Sequence, residues 1–237
     1  MLDFKTIKKL SIKHQTTIIN IVREYIQHLF LSYFYQEKGS ENFLFKGGTA
    51  LRIIYNSPRF SADLDFTGIK NGKVYEQIVE NVIVKLEKNG FKVKIEESKK
   101  TSGGWLAIFK IKAYELTFNI INEISYRKRA SFEGDLVLVT SEFTPSYTVF
   151  LLDPEIMIEE KVNALLTRKK PRDFFDLYFI LRDLRLRKFY NQKYNQKIIP
   201  LIKKTDENFL KKELEIFLPI NFKPILKNLK IKILEAI

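Results

Sequence analysis

The chain has 237 residues and a formal net charge of +13, and 45% of its residues are hydrophobic. This composition predicts a folded protein of one or two domains and excludes a largely disordered chain. The absence of cysteine excludes disulfides, thiolate zinc sites and cysteine nucleophiles, and the apolar runs are too short to span a membrane. The N-terminal segment lacks the apolar core of a secretory signal, so a cytoplasmic location is expected. The positive charge favours a polyanionic partner such as nucleic acid.

Hydrophobic periodicity predicts alternating helices and strands in the first part of the chain, which is expected to form a domain over residues 1–150. Gly103 and Gly104 predict a turn between two of the strands. The predicted elements are helices over 16–34, 49–55 and 74–89, and strands over 43–46, 62–67, 91–96, 106–113, 116–126 and 136–139.

Strand signals mostly disappear after residue 153. Helices are predicted over residues 156–167 and 172–184 with a break at Pro171, and further prolines punctuate shorter helical stretches after them. The sequence therefore predicts a second, helical domain over residues 151–237.

The most informative segment runs from residue 45 to residue 66. Gly47 and Gly48 open a predicted helix, where backbone N–H groups can approach a phosphate. Asp63 and Asp65 alternate with apolar residues, so both carboxylates point to one face of the predicted strand. Adjacent carboxylates repel unless a cation neutralises them, and Mg²⁺ (or Mn²⁺) binds both carboxylate and phosphate oxygens. Either feature alone is typical of an ordinary turn or strand end, but together they predict metal-dependent nucleotidyl or phosphoryl transfer.

A second cluster of charged residues lies in the helical domain. Lys161 and Arg168 share one helical face, and Asp173 and Asp176 lie one turn apart after the Pro171 break. Charged helix surfaces and acids that complement a helix dipole give the same pattern. The cations of this cluster, with Arg172, could nevertheless neutralise a triphosphate.

Three blocks of the sequence resemble the motifs of the AbiEii/AbiGii toxin family of nucleotidyltransferases, within the DNA-polymerase-β-like nucleotidyltransferase superfamily. The blocks are Lys46–Arg52, Arg59–Phe66 and Lys161–Tyr178, and their order and spacing agree with that family. The resemblance implies an α+β fold, in which a polymerase-β-like core of a mixed sheet with helices precedes a C-terminal helical bundle. It also implies the toxin of a toxin–antitoxin or abortive-infection system, with a cognate antitoxin, an NTP substrate and a tRNA 3′ end as acceptor.

The resemblance implies roles for the residues of the first two blocks. Asp63 and Asp65 match the metal-binding acids of the superfamily. Gly47, Gly48 and Thr49 match its phosphate turn, where the wider superfamily more often has Gly-Ser.

Lys161 and Asp173 match the later catalytic lysine and aspartate, so the helical domain is expected to contribute to catalysis. The third carboxylate of the superfamily lies on a later strand, and Glu123 is the candidate for this metal ligand. If Glu123 faces elsewhere, the acceptor hydroxyl must be activated by metal alone or by Asp173.

The remaining nucleotide-binding candidates flank these motifs. Lys161 and Arg172 are expected to hold the triphosphate. Arg59 and Ser61 either contact phosphate or make local hydrogen bonds at the entry of the strand, and the sequence leaves both interpretations open.

A basic stretch between Arg182 and Lys204 contains eight basic residues and one acid, with three aromatic residues interleaved. Basic side chains can follow an RNA backbone and aromatic rings can stack on unpaired bases, although a solvated basic face gives the same pattern. The candidate RNA-binding residues are Arg185, Arg187 and Lys188. A second basic cluster lies at Arg127–Arg129.

Two other functions remain compatible with the sequence. A hydroxyl group of a protein or small molecule is an alternative acceptor, since net charge favours RNA without excluding these. A nucleotidyltransferase fold without turnover that grips nucleic acid is the non-enzymatic alternative, and the intact Asp63, Asp65 and Lys161 argue against it.

Overall fold

The computed structural model describes residues 1–68, 72–126 and 134–237, which divide into two compact units. The sheet unit consists of Met1–Tyr55 and Phe60–Leu152. The helical unit consists of Asn56–Arg59 and Asp153–Ile237, so a short segment from early in the chain belongs to it.

The sheet unit is built on seven strands, β1 to β7 in chain order: Phe43–Lys46, Leu64–Gly68, Lys92–Thr101, Gly104–Ala113, Leu116–Tyr126, Asp135–Val139 and Tyr147–Leu151. They form one mixed sheet in the order β3-β4-β5-β2-β1-β7-β6. Strand β2 lies near its centre, antiparallel to β1 and parallel to β5. Strands β1 and β7 are also parallel, and the other neighbours are antiparallel.

The α-helices described in the sheet unit are α1 Phe4–Lys13, α2 Ile18–Phe34, α3 Gly47–Tyr55 and α4 Gly72–Lys88, with a 3₁₀ turn at Ser40–Asn42. Helix α2 is buried along most of its length and packs its aromatic side chains on the sheet. The ring of Phe34 stacks on Phe66 of β2 with centroids 5.1 Å apart, and Phe30 lies 6.1 Å from Phe109 of β4. The apolar face of the central strands is therefore the face that α2 covers.

The helical unit contains the α-helices α5 to α10: Pro154–Thr167, Pro171–Arg182, Leu184–Arg187, Asn195–Lys204, Glu207–Phe217 and Leu229–Ala236, with 3₁₀ turns at Gln192–Tyr194 and Ile220–Lys227. Helix α6 is central and packs against α5, α9 and α10. The start of α5 is fixed by Asp153, whose side chain accepts the N–H of Glu155 at 2.8 Å, and by a proline at the first position. No helix in the described part of the chain combines the length and apolarity needed to cross a membrane.

The predicted fold class is confirmed, since a mixed sheet with helices precedes a run of helices. Helix α1 and strand β7 were not predicted, and β3 continues to Thr101 instead of ending at residue 96. Strand β3 is an edge strand with most residues exposed, so its polar second half lacks the alternation that marks a half-buried strand. Strand β7 reads Tyr-Thr-Val-Phe-Leu, an almost continuous apolar run without the alternation of polar and apolar residues.

Candidate functional site

The turn between β1 and α3 closes against β2. Gly47 has φ of +84°, and a Cβ atom on it would lie 2.0 Å from Oδ2 of Asp65. Only glycine allows Asp65 to lie this close to the turn. Thr49, which is fully buried in the first turn of α3, donates a hydrogen bond from Oγ1 to the carbonyl oxygen of Asp63. The glycine turn and the acid-bearing segment therefore form one interlocked structure.

The acids of the sheet unit occupy one face of neighbouring strands. Asp63 immediately precedes β2 and Asp65 lies within it, so both side chains point to the same side, and both are half-buried. Glu123 of β5 is in register with Asp65 and is exposed. Among the residues that the structure describes, no three His, Cys, Asp or Glu side chains form a preassembled metal cluster. Glu123 thus lies on the strand next to the acid pair without completing a three-carboxylate cluster.

Helix α2 holds the segment that leads into these acids. Gln27 donates from Nε2 to the carbonyl oxygen of Ser61 at 3.0 Å, so Ser61 is fixed through its backbone. One turn earlier, Arg23 lies over the ring of Phe118 at 5.2 Å and interacts electrostatically with Asp63. Burial lowers the pKa of the Arg23 guanidinium, and the Asp63 carboxylate partly opposes this shift. No specific signal in the sequence predicts these contacts, because Gln27 and Ser61 are 34 positions apart in the chain.

In the helical unit, one buried carboxylate joins two of the predicted residues. Asp176 is 1% exposed and accepts hydrogen bonds from Arg59 Nε at 2.8 Å, Arg59 Nη2 at 3.1 Å and Lys161 Nζ at 2.7 Å. Burial raises the pKa of Asp176, but the charges of Arg59 and Lys161 outweigh it and bring the pKa to about 2. Arg59 and Lys161 are thus held by an aspartate to which the sequence analysis assigned no individual role.

Asp173 makes different contacts, three residues earlier on α6. Its carboxylate accepts from Arg168 Nε at 2.9 Å and Nη2 at 2.6 Å, and from the backbone N–H of Lys170 at 3.1 Å. The side chain is fully buried. These bonds cap the start of helix α6 and connect it to the end of α5. Both contacts favour a structural role for Asp173. Arg172 is half-buried in the same first turn.

The eight basic side chains of the stretch Arg182–Lys204 are all exposed. Arg185 is not equivalent to the others, because its Nη2 lies 2.6 Å from Oδ2 of Asp183. Lys188 lies over the ring of Phe189 at 4.8 Å. The other predicted basic cluster, Arg127–Arg129, lies outside the described residues.

Two of the three similar solved structures described here carry the description nucleotidyltransferase. MenT4, a nucleotidyltransferase toxin from Mycobacterium tuberculosis H37Rv, superposes on 100% of this chain and 90% of its own, with a TM-score of 0.67 and 15% identity. A crystal structure from H. pylori assigned to a nucleotidyltransferase covers 93% of this chain and 95% of its own, with a TM-score of 0.64 and 20% identity. JHP933 from Helicobacter pylori covers 93% of both chains, with a TM-score of 0.62 and 18% identity. At these identities the similarity establishes the fold.

The family follows from the sequence. No curated protein matches the chain significantly. The profile of the nucleotidyl transferase AbiEii toxin family, of type IV toxin–antitoxin systems, matches residues 29–232. This range contains the glycine turn, the acid pair and Lys161, which confirms the resemblance inferred from the motifs. The chain therefore belongs to the AbiEii toxin family and is a nucleotidyltransferase.

Proposed function

We propose that the protein transfers a nucleoside monophosphate from an NTP to an RNA acceptor, the 3′ end of a tRNA, with Mg²⁺ bound by Asp63 and Asp65. The reaction joins an acceptor hydroxyl oxygen to the α-phosphorus. The bond from that phosphorus to the bridging oxygen of the β-phosphate breaks, and pyrophosphate leaves.

The observation that carries this proposal is the interlock of the glycine turn with Asp65. Helix α3 begins at Gly47, so its first N–H groups have no partner within the helix and can bind a phosphate. A β-carbon at position 47 would fill the space next to Asp65 Oδ2. A phosphate turn and a metal carboxylate this close together suit a metal–triphosphate substrate.

The donor set fits a divalent metal. Nucleotidyltransferases of this kind generally use divalent metals. Asp63 and Asp65 supply hard oxygen ligands, which Mg²⁺ prefers, and the substrate phosphates would supply further oxygens. When bound, such an ion neutralises phosphate charge and lowers the pKa of the attacking hydroxyl.

The chain's own residues position the reactants in this proposal. The Gly47–Thr49 turn binds phosphate oxygens through its N–H groups, and the Thr49 hydroxyl fixes the backbone of Asp63. Glu123, in register with Asp65, supplies the third carboxylate, as a metal ligand or as the acceptor of the hydroxyl proton. Nucleotidyl transfer depends mainly on positioning and charge neutralisation, and these residues provide both.

Lys161 and Arg172 are proposed to bind the triphosphate. The contacts in the helical unit support this for Lys161, because its ammonium group is held in a fixed position by Asp176 at 2.7 Å. Arg59 is proposed to act by fixing Asp176. The contacts of Asp173 are fully accounted for by the structure of α6, so its proposed catalytic role is the weaker one.

RNA is the acceptor class that the charge distribution favours. The stretch Arg182–Lys204 presents eight exposed basic residues, and phosphate contacts of this kind dominate RNA affinity. Phe189 and Tyr194 lie beneath lysine side chains, where rings can also stack on bases. Arg187 and Lys188 are the better candidates, because Arg185 would have to leave Asp183 in order to bind phosphate.

The proposal is tested by incubating the purified protein with each α-³²P-labelled NTP, Mg²⁺ and either total RNA or total protein. We expect label in the tRNA fraction, with one NTP preferred, and none with the Asp65→Asn variant. Label in protein instead would establish a protein hydroxyl as acceptor. RNA binding without any labelled product would identify a non-catalytic binding module.

A further inference from the structure

Lys46 is a buried cation to which the proposed reaction gives no role. It ends β1 and is only 8% exposed. Its ammonium group donates a hydrogen bond to Oγ of Ser125 at 2.5 Å. Lysine is rarely buried unless a negative charge compensates it, so a carboxylate is expected close to this ammonium group.

The path of the Lys46 side chain places its charge among the acids. Strand β2 lies between β1 and β5 in the sheet, and adjacent strands are about 4.8 Å apart. A side chain from β1 that bonds Ser125 of β5 must therefore pass over β2. Lys46 is in register with Asp65, and Ser125 is in register with Thr67. The ammonium group consequently lies over the segment Asp65–Thr67, on the face that carries the carboxylates.

We propose that Lys46 is the built-in counter-ion of the Asp63–Asp65 pair, and that it makes the protein bind metal as a metal–nucleotide complex in preference to the free ion. The inference rests on the assignment of these acids as metal ligands in the proposed function. Without metal, the ammonium group offsets the repulsion between the carboxylates. It repels a free divalent ion, whereas a metal that arrives with a triphosphate also brings anionic oxygens that attract the ammonium group.

The direct test measures binding of free Mg²⁺ by calorimetry, without nucleotide, in Lys46→Met. This change removes the charge and retains most of the side-chain length. We expect free Mg²⁺ to bind about tenfold more tightly than to the wild type, since a nearby repulsive charge is gone. Lys110→Met is the matched control, because Lys110 is an exposed lysine of the same sheet, 3.1 Å from Glu96. An unchanged affinity in Lys46→Met, or an equal change in the control, would overturn the inference.

Lys46→Gln, which also removes the charge, takes the place of Lys46→Met if the latter folds poorly, and two further comparisons complete the test. Lys46→Arg retains the charge and should bind free Mg²⁺ as the wild type does. A double-mutant cycle of Lys46→Met and Asp65→Asn, measured by urea unfolding without metal, should show that the double variant is more stable than the sum of the single changes predicts. Strict additivity in this cycle, or a Lys46→Arg variant that gains Mg²⁺ affinity, would contradict the counter-ion role.

These measurements do not depend on nucleotide transfer, so the two proposals can fail separately. If Asp65→Asn still transfers nucleotide at the wild-type rate while the cycle shows coupling, the metal assignment fails and the charge pairing stands. If Asp65→Asn is inactive while Lys46→Met leaves Mg²⁺ binding unchanged, only the counter-ion inference fails.

Discussion

The charged groups of the two units are arranged in opposite ways. The sheet unit places Asp63 immediately before β2, Asp65 on β2 and Glu123 on β5, with Lys46 of β1 in register with Asp65. The helical unit sets two cations around one fully buried carboxylate, Asp176. The first group therefore consists mainly of acids, and the second mainly of cations. Under the proposed function, the acids of the sheet unit bind the metal and Lys161 of the helical unit binds phosphate.

Apart from substitution of the acids themselves, Gly47→Ala is expected to have the largest effect on the sheet unit. A β-carbon at position 47 would clash with Asp65 Oδ2, and alanine is strained at φ of +84°. We expect the rate of nucleotide transfer to fall by roughly a hundredfold or more. The new β-carbon displaces the Asp65 carboxylate, and small displacements of catalytic groups lower rates by this amount. Stability should fall by about 1–2 kcal/mol from the backbone strain.

The matched control is Gly103→Ala, since a β-carbon at position 103 would have no neighbour within 4 Å. It should leave transfer and stability close to wild type. Equal losses in the two glycine variants would mean that the proposed contact with Asp65 is not what makes Gly47 necessary.

Substitution of two aspartates of α6 distinguishes a carboxylate in a buried charge cluster from one that caps the start of a helix. Asp176→Ala leaves Arg59 and Lys161 without their carboxylate, and the loss of one partner in a buried ion pair costs about 3–5 kcal/mol. Asp173→Ala removes a cap and the bond to Arg168, whose side chain is 43% exposed, so a loss of about 1–2 kcal/mol is expected. Urea unfolding measures both values. A larger loss for Asp173 than for Asp176 would reverse the assignment of the central carboxylate.

The two units should also respond differently to acid. Burial lowers the pKa of His28 in the sheet unit to about 3, with a smaller contribution from Arg52, so the folded state keeps this imidazole neutral. Below pH about 6.5 the unfolded state binds a proton that the folded state does not, and stability falls as the pH decreases. Down to pH about 4.5 this loss is up to about 2–3 kcal/mol. The folded pKa of Asp176 is about 2, so its stabilisation is lost only as the pH falls below about 4 towards that value.

Urea unfolding between pH 7 and pH 4.5 tests this difference, with His28→Gln as the variant that should flatten the pH dependence. His14→Gln is the control, because His14 is more exposed and pairs with Glu142 at the surface. If His14→Gln flattens the curve as much as His28→Gln does, the buried imidazole is not the source of the acid sensitivity.

The smallest expected effect concerns RNA binding by the basic stretch. Replacement of Arg187 and Lys188 by glutamine should reduce the slope of log affinity against log salt by about 1.4, at about 0.7 for each phosphate that is no longer neutralised. Arg185→Gln should change the slope less, because this side chain is already paired with Asp183. Filter binding over a salt series measures the slopes. An unchanged slope in the double variant would place the RNA on other residues, and Arg127–Arg129 would be the next to replace.

The sequence predicted the sheet and the helical region well, because amphipathic helices such as α2 and alternating strands such as β5 have strong periodic signals. It also identified the Gly47 turn and the acid pair, since these lie within one short segment. It missed Asp176 as the partner of Arg59 and Lys161, because these residues are 117 and 15 positions away in the chain. Pairings of this kind arise from tertiary packing, and local sequence spacing does not encode them.

The central claim is that Asp63 and Asp65 are the acids of nucleotidyl transfer. The most direct measurement is single-turnover transfer of labelled NMP to tRNA at saturating Mg²⁺ by Asp65→Asn, with its folding checked by urea unfolding. We predict a loss of roughly three orders of magnitude in rate, because a ligand charge at the reacting centre is gone. The free energy of unfolding should remain within about 1 kcal/mol of wild type, as expected for a substitution that removes no packing. A folded Asp65→Asn variant that transfers nucleotide at the wild-type rate would contradict the claim.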